Sequence, residues 1–145
     1  MKIFTALFFA LGMVTLGSCS NDDDTQPVSD VVNLSAVIDS KQEVPTNAST
    51  ATGTMTGTYN KKTQVLTYTI TYQGFTPVAG HFHQAAPGVN GGTFVTLNNV
   101  GTSPITGTAT VSPADGAKIL SGETYVNLHS QAYTGGEIRG NVTAK

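Results

Sequence analysis

Between Val65 and Tyr72 apolar and hydroxyl side chains alternate without a break: Leu66, Tyr68, Ile70 and Tyr72 fall on one parity, Thr67, Thr69 and Thr71 on the other. In an extended chain successive side chains point to opposite faces, so this segment predicts a half-buried antiparallel strand. The run before it, Thr50 to Tyr59, sets Met55, Gly57 and Tyr59 against Thr54, Thr56 and Thr58, and Asn60-Lys-Lys-Thr63 supplies a hairpin loop between the two. The same period marks Asn33 to Ile38, Ala79 to Gln84, Thr93 to Leu97, Ile105 to Val111, Thr124 to His129 and Glu137 to Thr143. Between them lie the Gly-, Asn- and Pro-bearing stretches 87–92, 98–104 and 133–136, where bends belong. A helix is expected only over Ser112 to Leu120, with Ser112 as cap, Pro113 in the first turn and Gly122 beyond the end. About eight short strands at this spacing predict an all-β fold, an antiparallel Greek-key β-sandwich or barrel of immunoglobulin-like character.

The amino terminus departs from this pattern. Lys2 precedes an apolar run from Ile3 to Leu16 that is short for a bilayer span, and Leu16-Gly-Ser-Cys19 closes it with small residues. The segment reads as a signal peptide over residues 1–18, and its end resembles the lipobox of bacterial lipoproteins, which implies lipidation of Cys19. Acyl chains at about 0.8 kcal/mol per buried methylene would hold such a chain on a membrane. Residues 19–31, opening with Ser20-Asn-Asp-Asp-Asp24, cannot build a core and read as an acidic flexible tether. The acidic triplet resembles the export signal that follows the lipidated cysteine of surface lipoproteins. The expected location is therefore the cell envelope, on the outer membrane and exposed at its surface.

Residues 32–145 make one β domain, large enough for a single core. With 7 Lys and Arg against 9 Asp and Glu and no basic cluster, the charge argues against a nucleic-acid partner. Cys19 is the sole cysteine, so the domain has neither disulfides nor thiolate chemistry.

The chemistry-bearing residues share the strand period. His81 and His83 flank Phe82; Tyr125, Asn127 and His129 oppose Val126 and Leu128; Glu137, Arg139 and Asn141 oppose Ile138, Gly140 and Val142. With the aliphatic parity in the core, these polar residues lie together on the other face of neighbouring strands about 4.8 Å apart. Three readings compete. His81 and His83 on one strand face, with His129 from another, would form a facial set for copper or zinc. Alternatively Asn127, Glu137 and Arg139 form a structural polar network with the imidazoles, Arg139 pairing with Glu137 or with carbonyl groups. Third, Tyr125, Tyr133 and Phe82 offer rings to a glycan or protein partner. No catalytic residue emerges: Ser130 follows His129 on the opposite face, the wrong geometry for a nucleophile and its base.

The chain resembles the CHRD domain family, named for the repeats of the animal signalling antagonist chordin and also found singly in microbial secreted proteins. The residues that carry the resemblance are Leu34-Ser-Ala36 with Glu43-Val-Pro45, the segment Gly80-His-Phe-His83 with Ala86-Pro-Gly-Val-Asn-Gly91, and the closing pair Tyr125-Val-Asn-Leu-His129 and Gly135-Gly-Glu-Ile-Arg-Gly140. It implies an immunoglobulin-like or barrel-like β fold and shared polar positions at His81, His83, Asn127, His129, Glu137 and Arg139. The expectation is a cell-envelope lipoprotein carrying a CHRD-type binding or structural module, more a module than an enzyme. The alternative is a copper- or zinc-binding protein with redox activity, similar to superoxide dismutases in having a His-x-His strand on a Greek-key barrel.

Overall fold

The computed structural model describes residues 29–145; the signal segment, Cys19 and most of the 19–31 tether lie outside the described residues. The strands are β1 (Val31–Asp39), β2 (Thr52–Asn60), β3 (Val65–Gln73), β4 (Ala79–Gln84), β5 (Gly92–Thr96), β6 (Ile105–Thr110), β7 (Thr124–His129), β8 (Ile138–Asn141) and β9 (Thr143–Ala144). They form one antiparallel sheet in the order β5-β4-β7-β8-β1-β2-β3-β6, with β9 continuing β8 along β1. This sheet is wound nearly into a barrel, so the expected all-β architecture holds in its barrel form.

The alternating parity fills the interior. Ile38, Met55, Leu66, Ile70, Phe82 and Leu128 all sit at 1 % exposure or less. The single α-helix among the described residues, α1 (Pro113–Ser121), begins where Ser112 Oγ accepts the Asp115 N–H at 3.1 Å and ends at Gly122 in the left-handed region. It adds Ile119 to the core. Gly116 is required there because a Cβ would collide with the Tyr59 hydroxyl.

The two ends of the strand order treat their outer faces differently. On β2 and β3 the threonines face solvent, with Thr54 and Thr71 sharing a hydroxyl hydrogen bond at 2.8 Å. On β7 and β8 both parities are buried, so the polar face lies under cover instead of in water. The cover is two segments that leave the sheet. One is the loop 85–91 between β4 and β5; the other follows β1 through a 3-10 turn (Ser40–Gln42) to residue 47. Asn90 Nδ2 donates to Val44 O at 2.8 Å and ties the two together.

The last strand differs from its expected span of Glu137 to Thr143. Ladder pairing begins at Ile138 and is interrupted at Val142, just before which the Asn141 N–H donates to Gln42 Oε1 at 3.2 Å instead of to a strand carbonyl. The interruption lets the 3-10 turn press against the sheet.

Because Ile70 is fully buried at the β2–β3–β6 junction, Ile70→Ala should lower the unfolding free energy by about 2–5 kcal/mol. Urea denaturation followed by circular dichroism checks this; a loss below 1 kcal/mol, roughly the scale of surface substitutions, would contradict a close-packed barrel interior.

Candidate metal centre

Antiparallel pairing of β4 with β7 sets His81 opposite Asn127, His83 opposite Tyr125 and Ala79 opposite His129. Directly opposed residues project to the same face, so three imidazoles and one carboxamide converge on the polar side of two adjacent strands. The three ligand-capable nitrogens lie within 4.8 Å of one another, and each ring is partly buried. His81 Nδ1 is 3.1 Å from His129 Nε2. Asn127 Oδ1 stands between the other two rings, 3.1 Å from His83 Nε2 and 3.1 Å from His129 Nε2. In a tetrahedral site with metal–nitrogen bonds of about 2.0–2.1 Å, donor atoms are about 3.3–3.4 Å apart, so small side-chain rotations suffice to close this set on an ion.

Two of the rings are oriented by backbone. His83 Nδ1 lies 3.0 Å from Gly91 O, and His129 Nδ1 lies 2.9 Å from Thr134 O. A carbonyl oxygen only accepts, so each Nδ1 carries the proton and donates it. The lone pair of each neutral ring is then on Nε2, facing the cluster. This is how a metal-binding histidine is commonly held, with its second nitrogen fixed by a backbone carbonyl. Burial, together with the nearby positive potential of the other two imidazoles, holds His81 below the ordinary imidazole value. Burial also lowers His83, opposed by its hydrogen bonds to Gly91 and Asn127 and assisted by the charges of His129 and Arg139. Both effects favour the neutral, ligating form.

Behind the imidazoles lies a second assembly. The Tyr125 ring stacks on His83 at 4.7 Å with the planes 2° apart, and it carries the guanidinium of Arg139, whose Cζ is 3.4 Å from the ring centroid. Arg139 is fully buried. It donates from Nη2 to Val89 O at 2.8 Å and from Nη1 to Asn90 Oδ1 at 3.2 Å, so its partners come from the covering loop. Gly91 N–H donates to the Tyr125 hydroxyl at 3.3 Å. The same seven-residue loop thus orients His83, caps Tyr125 and receives Arg139.

Glu43 is the acidic residue whose titration Arg139 influences. Its side chain is 95 % buried on the segment after β1, where Gly136 leaves room because a Cβ there would overlap the carboxyl group. The positive φ of Gly136 makes glycine doubly apt. With Asn47 and Tyr133, Glu43 lines a cleft of about 190 Å³. Burial raises its carboxyl from 4.5 to about 7, against the opposing pull of Arg139 and a backbone hydrogen bond at Val44.

The expected site residues therefore divide. His81, His83, His129 and Asn127 come together directly, and Arg139 joins them through Tyr125. Glu137 does not join them. It precedes the strand, where alternation has not begun, and its Oε1 accepts from Ser49 Oγ at 2.7 Å while its carbonyl accepts from Asn47 Nδ2 at 3.0 Å. The expected Arg139 partner of the carbonyl kind is present; the acidic group that acts on its charge is Glu43 rather than Glu137. Among the sequence signals, the Glu43-Val-Pro45 segment pointed to that residue without saying that it would fold over the far strand. Phe82 packs in the core against Tyr68 at 5.3 Å, and Ser130 Oγ accepts the Tyr133 N–H in a turn, so neither faces the cluster.

The raised carboxyl has a defined pH consequence. A group whose folded value exceeds its unfolded value keeps its proton in the native state, so its contribution to stability falls as pH rises from 4.5 to about 7 and is constant above. The depressed imidazoles slope the opposite way below their ordinary 6.5, so the wild-type curve is a sum. Glu43→Gln should remove the falling component, gaining about 1–2 kcal/mol over wild type between pH 4.5 and 7, less than full linkage because the carboxyl borders an open cleft. Denaturation midpoints of both proteins across pH 4–8 check it; parallel curves would refute the assignment.

A search of curated proteins and of solved structures found no match to the chain. The CHRD domain family matches residues 34–142, from the first core residue of β1 to the Val142 that separates β8 from β9. This span holds every residue of the imidazole cluster and of the Arg139 assembly, and by it the chain belongs to the CHRD domain family.

Proposed function

We propose that the chain is a metal-binding CHRD module tethered to the outside of a cell envelope, holding one copper or zinc ion through His81, His83 and His129. The observation that carries this reading is the convergence of three imidazole nitrogens within 4.8 Å, two of them presented by backbone carbonyls that hold the opposite ring nitrogen. Three nitrogen donors without a thiolate suit copper or zinc better than harder ions. Bound there, either ion supplies Lewis acidity, and copper a one-electron couple. The depressed imidazoles support binding under mildly acidic conditions, since protons compete less well for the same lone pairs.

The tether reading rests on the lipobox-like Leu16-Gly-Ser-Cys19 and the acidic stretch after it. Among the described residues no helix is long and apolar enough to cross a membrane. In this reading the lipid fixes the module at the surface and the tether gives it reach.

Protein purified without a polyhistidine tag and dialysed against copper or zinc should carry about one ion per chain by elemental analysis, and loading at one hundred times Kd should stabilise it by about 2.7 kcal/mol. His81→Ala and His129→Ala should each abolish stoichiometric loading while remaining folded. Affinity should be nearly constant above about pH 6.5 and begin to fall only in the more acidic range where the depressed imidazoles take up protons. Failure of the wild-type protein to retain either ion under replete conditions would rule the metal reading out. For the anchor, Cys19→Ser should move the protein from the membrane fraction to the soluble one; unchanged fractionation would count against lipidation.

A further inference from the structure

We infer that Asn127 is the fourth donor of the centre, through Oδ1, and that its carboxamide turns over when the ion enters or leaves. This rests on the three-histidine reading above and adds a ligand, a coordination class and a coupled motion to it.

The argument is a hydrogen-bond account. The Nδ1 protons of His83 and His129 are committed to Gly91 O and Thr134 O, so the Nε2 atom of each neutral ring is an acceptor. Both Nε2 atoms are nevertheless 3.1 Å from the same Asn127 Oδ1, which is also an acceptor. Two lone-pair nitrogens and a carbonyl oxygen cannot satisfy one another. Asn127 is 3 % exposed, so water has little room to arbitrate. Two arrangements resolve the conflict. With the amide nitrogen turned inward, its two N–H groups meet the two Nε2 lone pairs, that of His129 being shared with a His81 Nδ1–H 3.1 Å away. With the oxygen inward, a cation among the four atoms takes all the lone pairs at once. The oxygen-inward arrangement, with His81 Nδ1 at 3.1 Å from His129 Nε2, sets three nitrogens and one oxygen around a common point.

Position supports the assignment. Asn127 pairs with His81 on one side and with Arg139 on the other, at the centre of the three-strand face. A side chain there reaches the imidazoles of both β4 and β7 without any backbone movement, because only the terminal torsion of the carboxamide has to turn. That torsion is soft, about two-fold and nearly shape-conserving. A neutral amide oxygen as fourth donor also leaves the net charge of the ligand set at zero. The centre then retains the full charge of the ion, beside an Arg139 whose own charge is felt at His83. A closed set of three nitrogens and one oxygen corresponds to a holding site, in contrast to catalytic centres that keep a position for water.

The test is a zinc titration of the full-length protein and of Asn127→Asp, Asn127→Leu and His129→Ala, with folding of each verified by circular dichroism. In the zinc-free wild type, nitrogen-15 spectra should show His83 and His129 protonated on Nδ1, and the Asn127 amide nitrogen coupled through hydrogen bonds to their Nε2 atoms. Zinc should abolish that coupling and shift the Asn127 side-chain carbonyl carbon. Asn127→Asp should bind zinc at least about tenfold tighter, since it offers an anionic oxygen. Asn127→Leu should bind about 10–100-fold more weakly, the range that groups supporting a metal command. If His129→Ala loses zinc while both Asn127 variants keep wild-type affinity and the amide signals ignore the metal, Asn127 is no ligand and the three-histidine site stands alone. If wild type binds neither zinc nor copper, both readings fall together. If Asn127→Leu does not fold, the opposed expectations for Asn127→Asp and the wild-type amide signals still decide the matter.

Discussion

The arrangement around Arg139 is the constraint on which the polar half of the barrel depends. A guanidinium removed from water costs several kcal/mol unless its charge and its N–H groups are answered. Here the answers come from three places: the Tyr125 ring beneath it, Val89 O and Asn90 from the loop after β4, which take Nη2 and Nη1 while Nε stays without a partner, and the field of Glu43 from the segment after β1. None of these is adjacent to it in sequence. Satisfying the charge therefore fixes two loops on the outside of β7 and β8, and the fixed loops carry the carbonyl that orients His83.

The imidazole cluster is a consequence of that fixing. Strand pairing alone brings His81, His83, Asn127 and His129 to one face, but rings on a bare sheet would rotate into solvent. Gly91 O and Thr134 O select one tautomer for two of them and aim their lone pairs inward. The stack of His83 on Tyr125 makes the link physical: the ring that carries the arginine also holds the imidazole plane. The polar network and the imidazole cluster, which look like rival interpretations of the same residues, are thus neighbouring parts of one construction. Arg139, Tyr125 and Glu43 form the part that braces, and the histidines with Asn127 form the part that is presented.

The covering loops also account for the unusual burial of the strands. β7 has no exposed residue although its parity alternates polar and apolar. Alternation normally marks a strand with one wet face; here the second face is dry but lined with groups that bond to one another and to the loops. On β2 and β3 the same alternation does have a wet face, where threonine hydroxyls serve each other and water. Identical periodicity thus corresponds to two environments.

Local alternation determined the strands and the faces on which His81, His83, Asn127, His129 and Arg139 stand, because a period of two in side-chain direction follows from backbone geometry and needs no partner, and the Ser112, Pro113 and Gly122 signals determined the helix. The motif spacing also carried the family. What sequence could not carry is anything set by chain returning from afar. Glu137 shares the parity of Arg139 on paper, yet Gly136 turns the backbone just before it and sends its carboxylate to Ser49, while Glu43, nearly a hundred residues from Arg139, takes the place facing the charge. Likewise the protonated nitrogen of each imidazole depends on which loop carbonyl meets it. Parity is a property of the strand, but burial, tautomer and charge pairing belong to whatever covers it, and only the tertiary structure decides that.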